Sequence, residues 1–103
     1  MINEKDLFNR SVKLWGLASQ IYMLAEESSE LSVAAHHLNR NLKDRTLAME
    51  NLAEEIADVE FMIAELKDCF PDLPLRVDFH RYVKRVSLRD ILDAAESKKG
   101  TLE

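Results

Sequence analysis

The chain has 103 residues, a length that suits a single domain spanning 1–103. Its formal net charge of −5 argues against a nucleic-acid backbone or an anionic membrane as the main partner, and its 47% hydrophobic content is ordinary for a packed domain. The lone cysteine, Cys69, excludes an internal disulfide. Together with an N-terminal stretch around Asn3, Glu4, Lys5 and Asp6 that has no apolar signal region, it gives the expectation of a cytoplasmic location.

Only two glycines and two prolines occur, so long helices meet few interruptions. Leu7, Phe8, Val12 and Trp15 recur at helical spacing and predict a first helix over about Glu4 to Trp15, closed by Gly16. A second helix is predicted from about Leu17 to Leu42. Ile21, Leu24, Ser28, Leu31, Ala35, Leu38 and Leu42 alternate in steps of three and four, a coiled-coil-like seam. Polar residues around Asn39 to Arg45 supply a turn. A third helix is predicted from about Thr46 to Phe70, with Leu52, Ile56, Val59, Ile63 and Leu66 repeating the seam. After the Pro71–Pro74 break, Pro74 opens a fourth helix with a partial stripe of Val77, Tyr82, Val83 and Val86. Ser87 and Asp90 resemble a capping box, so this helix is expected to restart near Leu88 and to stop at Lys98-Lys99-Gly100. No strand pattern competes. The expected fold is all-α, a bundle of four to five helices.

Two acidic pairs stand out. Glu27 and Glu30 are three apart on the second helix, and Glu55 and Asp58 are three apart on the third. Residues at that spacing are surface neighbours. None of Glu27, Glu30 and Glu55 has a lysine or arginine four residues on, where an exposed acidic face would often carry one. If the helices pack antiparallel, four carboxylates converge, and a divalent cation with hard oxygen ligands relieves their repulsion. A solvated acidic face is the competing reading of the same spacing. His36 and His37 lack the Glu-x-x-His spacing of a di-iron bundle and read as helix surface or interface. Cys69 reads as a buried small hydrophobe.

The run KLWGLASQIYMLAEESSEL, Lys13 to Leu31, resembles the N-terminal segment of the MazG-like nucleotide pyrophosphohydrolases, in particular their short phage and prokaryotic forms. Trp15, Gly16, Gln20, Glu27, Glu30 and Leu31 carry the likeness. EEIADVEFMIAEL, Glu54 to Leu66, resembles that family's second acidic segment through Glu55 and Asp58. Its last helix carries K-x-x-R-L; here Lys84 and Leu88 match, but Ser87 stands in place of the arginine. The resemblance implies an all-α homodimer or homotetramer that hydrolyses (d)NTP to (d)NMP and pyrophosphate, by attack of metal-activated water on the α-phosphate. It implies that Glu27, Glu30, Glu55 and Asp58 are the catalytic, metal-holding set, for Mg2+ with Mn2+ as the alternative. Trp15 would lie against a base or anchor the first helix. Gln20 would touch base or ribose or sit exposed on its helix, and Lys84 would meet a phosphate or be solvated. The alternative function is a non-catalytic helical oligomerisation or regulatory module.

Overall fold

In a computed structural model that describes residues 1–102, four helices follow one another: α1 (Glu4–Trp15), α2 (Leu17–Arg40), α3 (Thr46–Cys69) and α4 (Leu73–Leu102). Among the described residues there is no strand. Asn3 starts α1, its Oδ1 accepting from the Asp6 N–H at 3.1 Å, and Glu4 and Asp6 place negative charge at the positive end of the helix dipole. The Gly16 N–H closes α1 on the Val12 carbonyl at 2.8 Å.

Gly16 then turns the chain directly into α2 with φ 88° and ψ 150°. That backbone region is open to glycine and to almost nothing else. A Cβ there would meet no atom within 4 Å, so the obstacle is the backbone itself. Gly16→Ala is therefore expected to lower the stability of the helical hairpin by about 1–3 kcal/mol, read from the urea midpoint; an unchanged midpoint would mean the elbow relaxes without cost.

α2 stops two residues before the predicted Leu42. Asn41 seals its end twice: Nδ2 donates to the His37 carbonyl at 2.7 Å, and its N–H donates to the Leu38 carbonyl at 3.0 Å. A polar loop over 41–45 leads into α3, which ends one residue before the predicted Phe70, where the backbone becomes extended. The expected interruption of the last helix is not found. α4 runs unbroken through Ser87 and through Lys98-Lys99-Gly100, so the helices number four. Between Leu75 and Lys99 no glycine or proline interrupts the pattern, and a serine inside a helix costs far less than breaking its hydrogen-bond ladder.

The chain divides into two compact units, Met1–Phe70 and Pro71–Glu103. In the first, α2 and α3 pack as an antiparallel hairpin, in which Leu24, Leu31, Leu38, Leu52 and Val59 are half-buried and Leu66 is buried. Ala34 and Ala48 are fully buried, letting the two backbones approach closely. α1 lies against both helices, anchored by Phe8, which meets Phe61 of α3 edge-on with ring centroids 5.1 Å apart. No helix among the described residues is long and apolar enough to cross a membrane.

Candidate metal centre

Helix geometry fixes the acidic site before any contact is considered. Glu27 and Asp58, and likewise Glu30 and Glu55, are equally far from the Leu42–Lys43 midpoint of the hairpin. Antiparallel packing therefore sets α2 and α3 with these pairs level. Glu27, Glu55 and Asp58 each bring one carboxylate oxygen into a group whose members all lie within 4.8 Å of one another. Glu27 and Glu55 are half-buried and Asp58 is exposed, so the cluster sits at the edge of the hairpin interface with one side towards solvent. Glu30 is exposed and stands outside that group, but its charge acts on both Glu27 and Glu55.

Burial is the main reason the Glu27 and Glu55 carboxyls are pushed above their ordinary value; the Glu30 charge follows, and Asp58 adds to both. One oxygen on each, Oε2 of Glu27 and Oε2 of Glu55, is buried without any hydrogen-bond partner. Among the described residues no lysine or arginine pairs with the four carboxylates; the ion pairs found are Arg10–Asp6, Arg76–Asp72 and Arg89–Asp90. Negative charge is thus concentrated where the protein supplies neither a cation nor enough donors. These oxygens, from two helices, could hold a hard divalent cation such as magnesium or manganese.

Comparison with known protein families, characterised proteins and solved structures returns no match. The site is therefore read from its own chemistry.

The other candidate residues fall in different places. Trp15 is 63% exposed at the α1–α2 elbow, so the anchor of α1 is Phe8 and not Trp15. Lys84 is exposed on α4. Gln20 is neither an exposed helix residue nor presented to solvent: it is only 5% exposed, beside Glu65, which is 2% exposed. The Gln20 amide nitrogen, oriented to satisfy its neighbours, donates to both Glu65 oxygens at 2.9 and 3.0 Å. No motif in the sequence singles out Glu65. Position held the missed signal, because Gln20 and Glu65 are also equidistant from the hairpin midpoint, seven residues outside Glu27 and Asp58.

Among the described residues no ion pair involves Glu65, and burial pushes its carboxyl up from 4.5. Below pH 4.5 it is neutral in both the folded and the unfolded chain. As pH rises through the higher folded value, ionisation favours the unfolded chain and stability falls. Glu65→Gln is expected to be more stable than the parent near neutral pH and to flatten the pH dependence above 4.5. Urea midpoints across that range test this; a variant weaker than the parent at neutral pH would show that the ionised pair stabilises the core.

Proposed function

We propose that the chain is a magnesium-dependent nucleoside triphosphate pyrophosphohydrolase of MazG-like type, converting a (d)NTP to the monophosphate and pyrophosphate. The observation that carries this reading is the meeting of Glu27, Glu55 and Asp58 from two helices, with two buried oxygens left without donors. The resemblance of the Trp15–Leu31 and Glu54–Leu66 segments to that family points the same way.

In this reading Glu27, Glu30, Glu55 and Asp58 hold the cation. When bound, Mg2+ neutralises triphosphate charge and lowers the pKa of water. The rest belongs to the chain. α2 and α3 fix the carboxylates relative to one another, so no reorganisation is needed when substrate arrives. A carboxylate whose affinity for protons is raised by burial and like charge is suited to accept one from water near neutral pH, which fits Glu27 and Glu55. Exposed Trp15 offers an aromatic face for a base. Gln20, committed to Glu65, acts in this scheme by holding the hairpin and not by touching substrate.

The test is pyrophosphate release from a panel of ribo- and deoxyribonucleoside triphosphates, with and without Mg2+. Release that requires the metal supports the reading. Silence across the panel by folded protein would turn the balance to the non-catalytic oligomerisation module, which the exposed apolar rows of the hairpin would also serve.

A further inference from the structure

Gln20 and Glu65 extend the two acidic rows. Steps of three and four join Gln20, Met23, Glu27 and Glu30 on α2, and Glu55, Asp58, Met62 and Glu65 on α3. Gln20 is level with Glu65 in the antiparallel hairpin, as Met23 is with Met62 and Glu27 with Asp58. Among the described residues these two are the buried polar side chains, 5% and 2% exposed, and the Gln20 amide nitrogen donates to both Glu65 oxygens at 2.9 and 3.0 Å. We propose that Gln20 and Glu65 are positioning residues: their hydrogen bond selects the roll and register of α2 on α3 that bring the acidic rows together.

A selector is needed because a rival packing is written into the same two helices. Leu24, Leu31 and Leu38 on α2 and Leu52, Val59 and Leu66 on α3 are buried or half-buried. Rotating each helix by about 60° brings in the residues three positions earlier. These are Ile21, Ser28 and Ala35 on α2 and Met49, Ile56 and Ile63 on α3, and the four large ones are 38–45% exposed. Glu27, Glu30, Glu55 and Asp58 lie on the other side of the leucine rows, so the same rotation draws them apart. The rival packing therefore covers apolar surface and relieves carboxylate repulsion together.

The polar pair opposes both gains. Gln20 stands one turn before Leu24 and Glu65 directly before Leu66, each on the acidic side of its leucine row. The rotation parts them, and so does sliding one helix by a turn, about 5.4 Å. Either change breaks a hydrogen bond between groups that the fold keeps from water, and a buried bond left unmade costs more than the same bond contributes when made. Choosing among apolar packings is the best-attested structural use of a buried polar contact. Its effect reaches the acidic site, because Glu27 and Asp58 lie seven residues away along their helices, about 10.5 Å. The clustering of Glu27, Glu55 and Asp58 within 4.8 Å requires this roll.

The test is the double variant Gln20→Leu with Glu65→Leu in the full chain. Its helical circular dichroism and urea midpoint should match or exceed those of the parent, because apolar residues of similar volume replace a buried polar pair without loss. The amide resonances of α2 and α3, one set in the parent, should double or broaden as the rival packing becomes populated. Affinity for Mn2+ alone should fall at least about tenfold, the loss reached when the competent packing drops below a tenth of the molecules. The Mn2+ arm rests on the metal reading of the acidic site and the resonances do not. A parent that binds no Mn2+ would remove that reading, and the resonances would still decide the role of the pair. Gln20→Glu combined with Glu65→Gln rebuilds the hydrogen bond in reverse and should restore one set of resonances and the parental affinity. A leucine pair with one set of resonances at parental shifts for Glu27, Glu55 and Asp58 overturns the proposal. A leucine pair that melts well below the parent also overturns it, since the contact would then only stabilise the core. So does an exchanged pair that behaves like the leucine pair.

Discussion

Asp58→Asn and Glu30→Gln are expected to lower magnesium-dependent pyrophosphate release by on the order of 10²–10³-fold, a loss typical of removing one preorganised charged group from a reacting centre. Helix content should not change. Asp58 is exposed and supplies one of the three converging oxygens, while the Glu30 charge acts on both Glu27 and Glu55. Near-parental turnover in either variant would remove the acidic quartet from the chemistry. The same substitutions separate a functional site from a structural one. A structural cluster stabilises the fold, and removing one member weakens it. Here the carboxylates repel one another, so without metal Glu27→Gln should fold at least as stably as the parent.

The pH dependence follows from the direction of the shifts. Burial and the Glu30 charge raise the Glu27 and Glu55 carboxyls above 4.5 in the folded chain. A raised carboxyl costs nothing below 4.5, where it is protonated folded and unfolded alike. The penalty appears as pH climbs through the raised folded values. Metal-free protein should therefore melt at a higher temperature at pH 5 than at pH 7.5. Magnesium should close the gap from the high-pH side, because it binds the ionised carboxylates of the folded state. A metal-free melting temperature that rises towards neutral pH would contradict the proposed electrostatics.

Much of this arrangement was legible in the residue order. Periodicity gave α1 its bounds, and Gly16 its end, because an apolar stripe and a glycine are local signals. The meeting of Glu27, Glu55 and Asp58 needs more than i,i+3 spacing: in an antiparallel hairpin, residues equidistant from the turn come level, as Glu27 and Asp58 are. Gln20 and Glu65 are level by the same rule, yet a single polar residue on a helix looks solvated until its burial is known. The break expected at Ser87 failed for the converse reason. A capping box stabilises a helix start that already exists, and nothing at Ser87 stops the helix arriving from Pro74. Trp15 shares the helical stripe with Phe8; which aromatic turns inward depends on how α1 rolls on α3, a tertiary matter that spacing does not fix. The coiled-coil-like seam holds only in part: Leu24, Leu31, Leu38, Leu52 and Val59 are half-buried and Leu66 is buried, whereas Ile21, Ser28, Ala35, Leu42, Ile56 and Ile63 are exposed, because the heptad pattern does not say which row the hairpin uses.

Phe8→Ala should be the most damaging single substitution in α1, costing about 3–5 kcal/mol, whereas Trp15→Ala at the exposed elbow should stay within about 1 kcal/mol. Phe8 is 5% exposed and is the only fully buried residue of α1. Its edge-on contact with Phe61 adds to the loss, since such aromatic pairs contribute about 0.5–1.5 kcal/mol beyond area alone. Without that anchor a 12-residue helix has little reason to persist, because isolated helices of this length are marginal in water. Phe61 lies three residues beyond Asp58 on α3, so releasing α1 also loosens the helix that carries half of the carboxylates. Urea denaturation of the two variants gives the comparison, and magnesium-dependent turnover of Phe8→Ala under folding conditions gives its functional echo. If Trp15→Ala proves the more destabilising of the two, α1 is held by a contact of the indole with a further partner, and the elbow is an interface rather than an open place for a base.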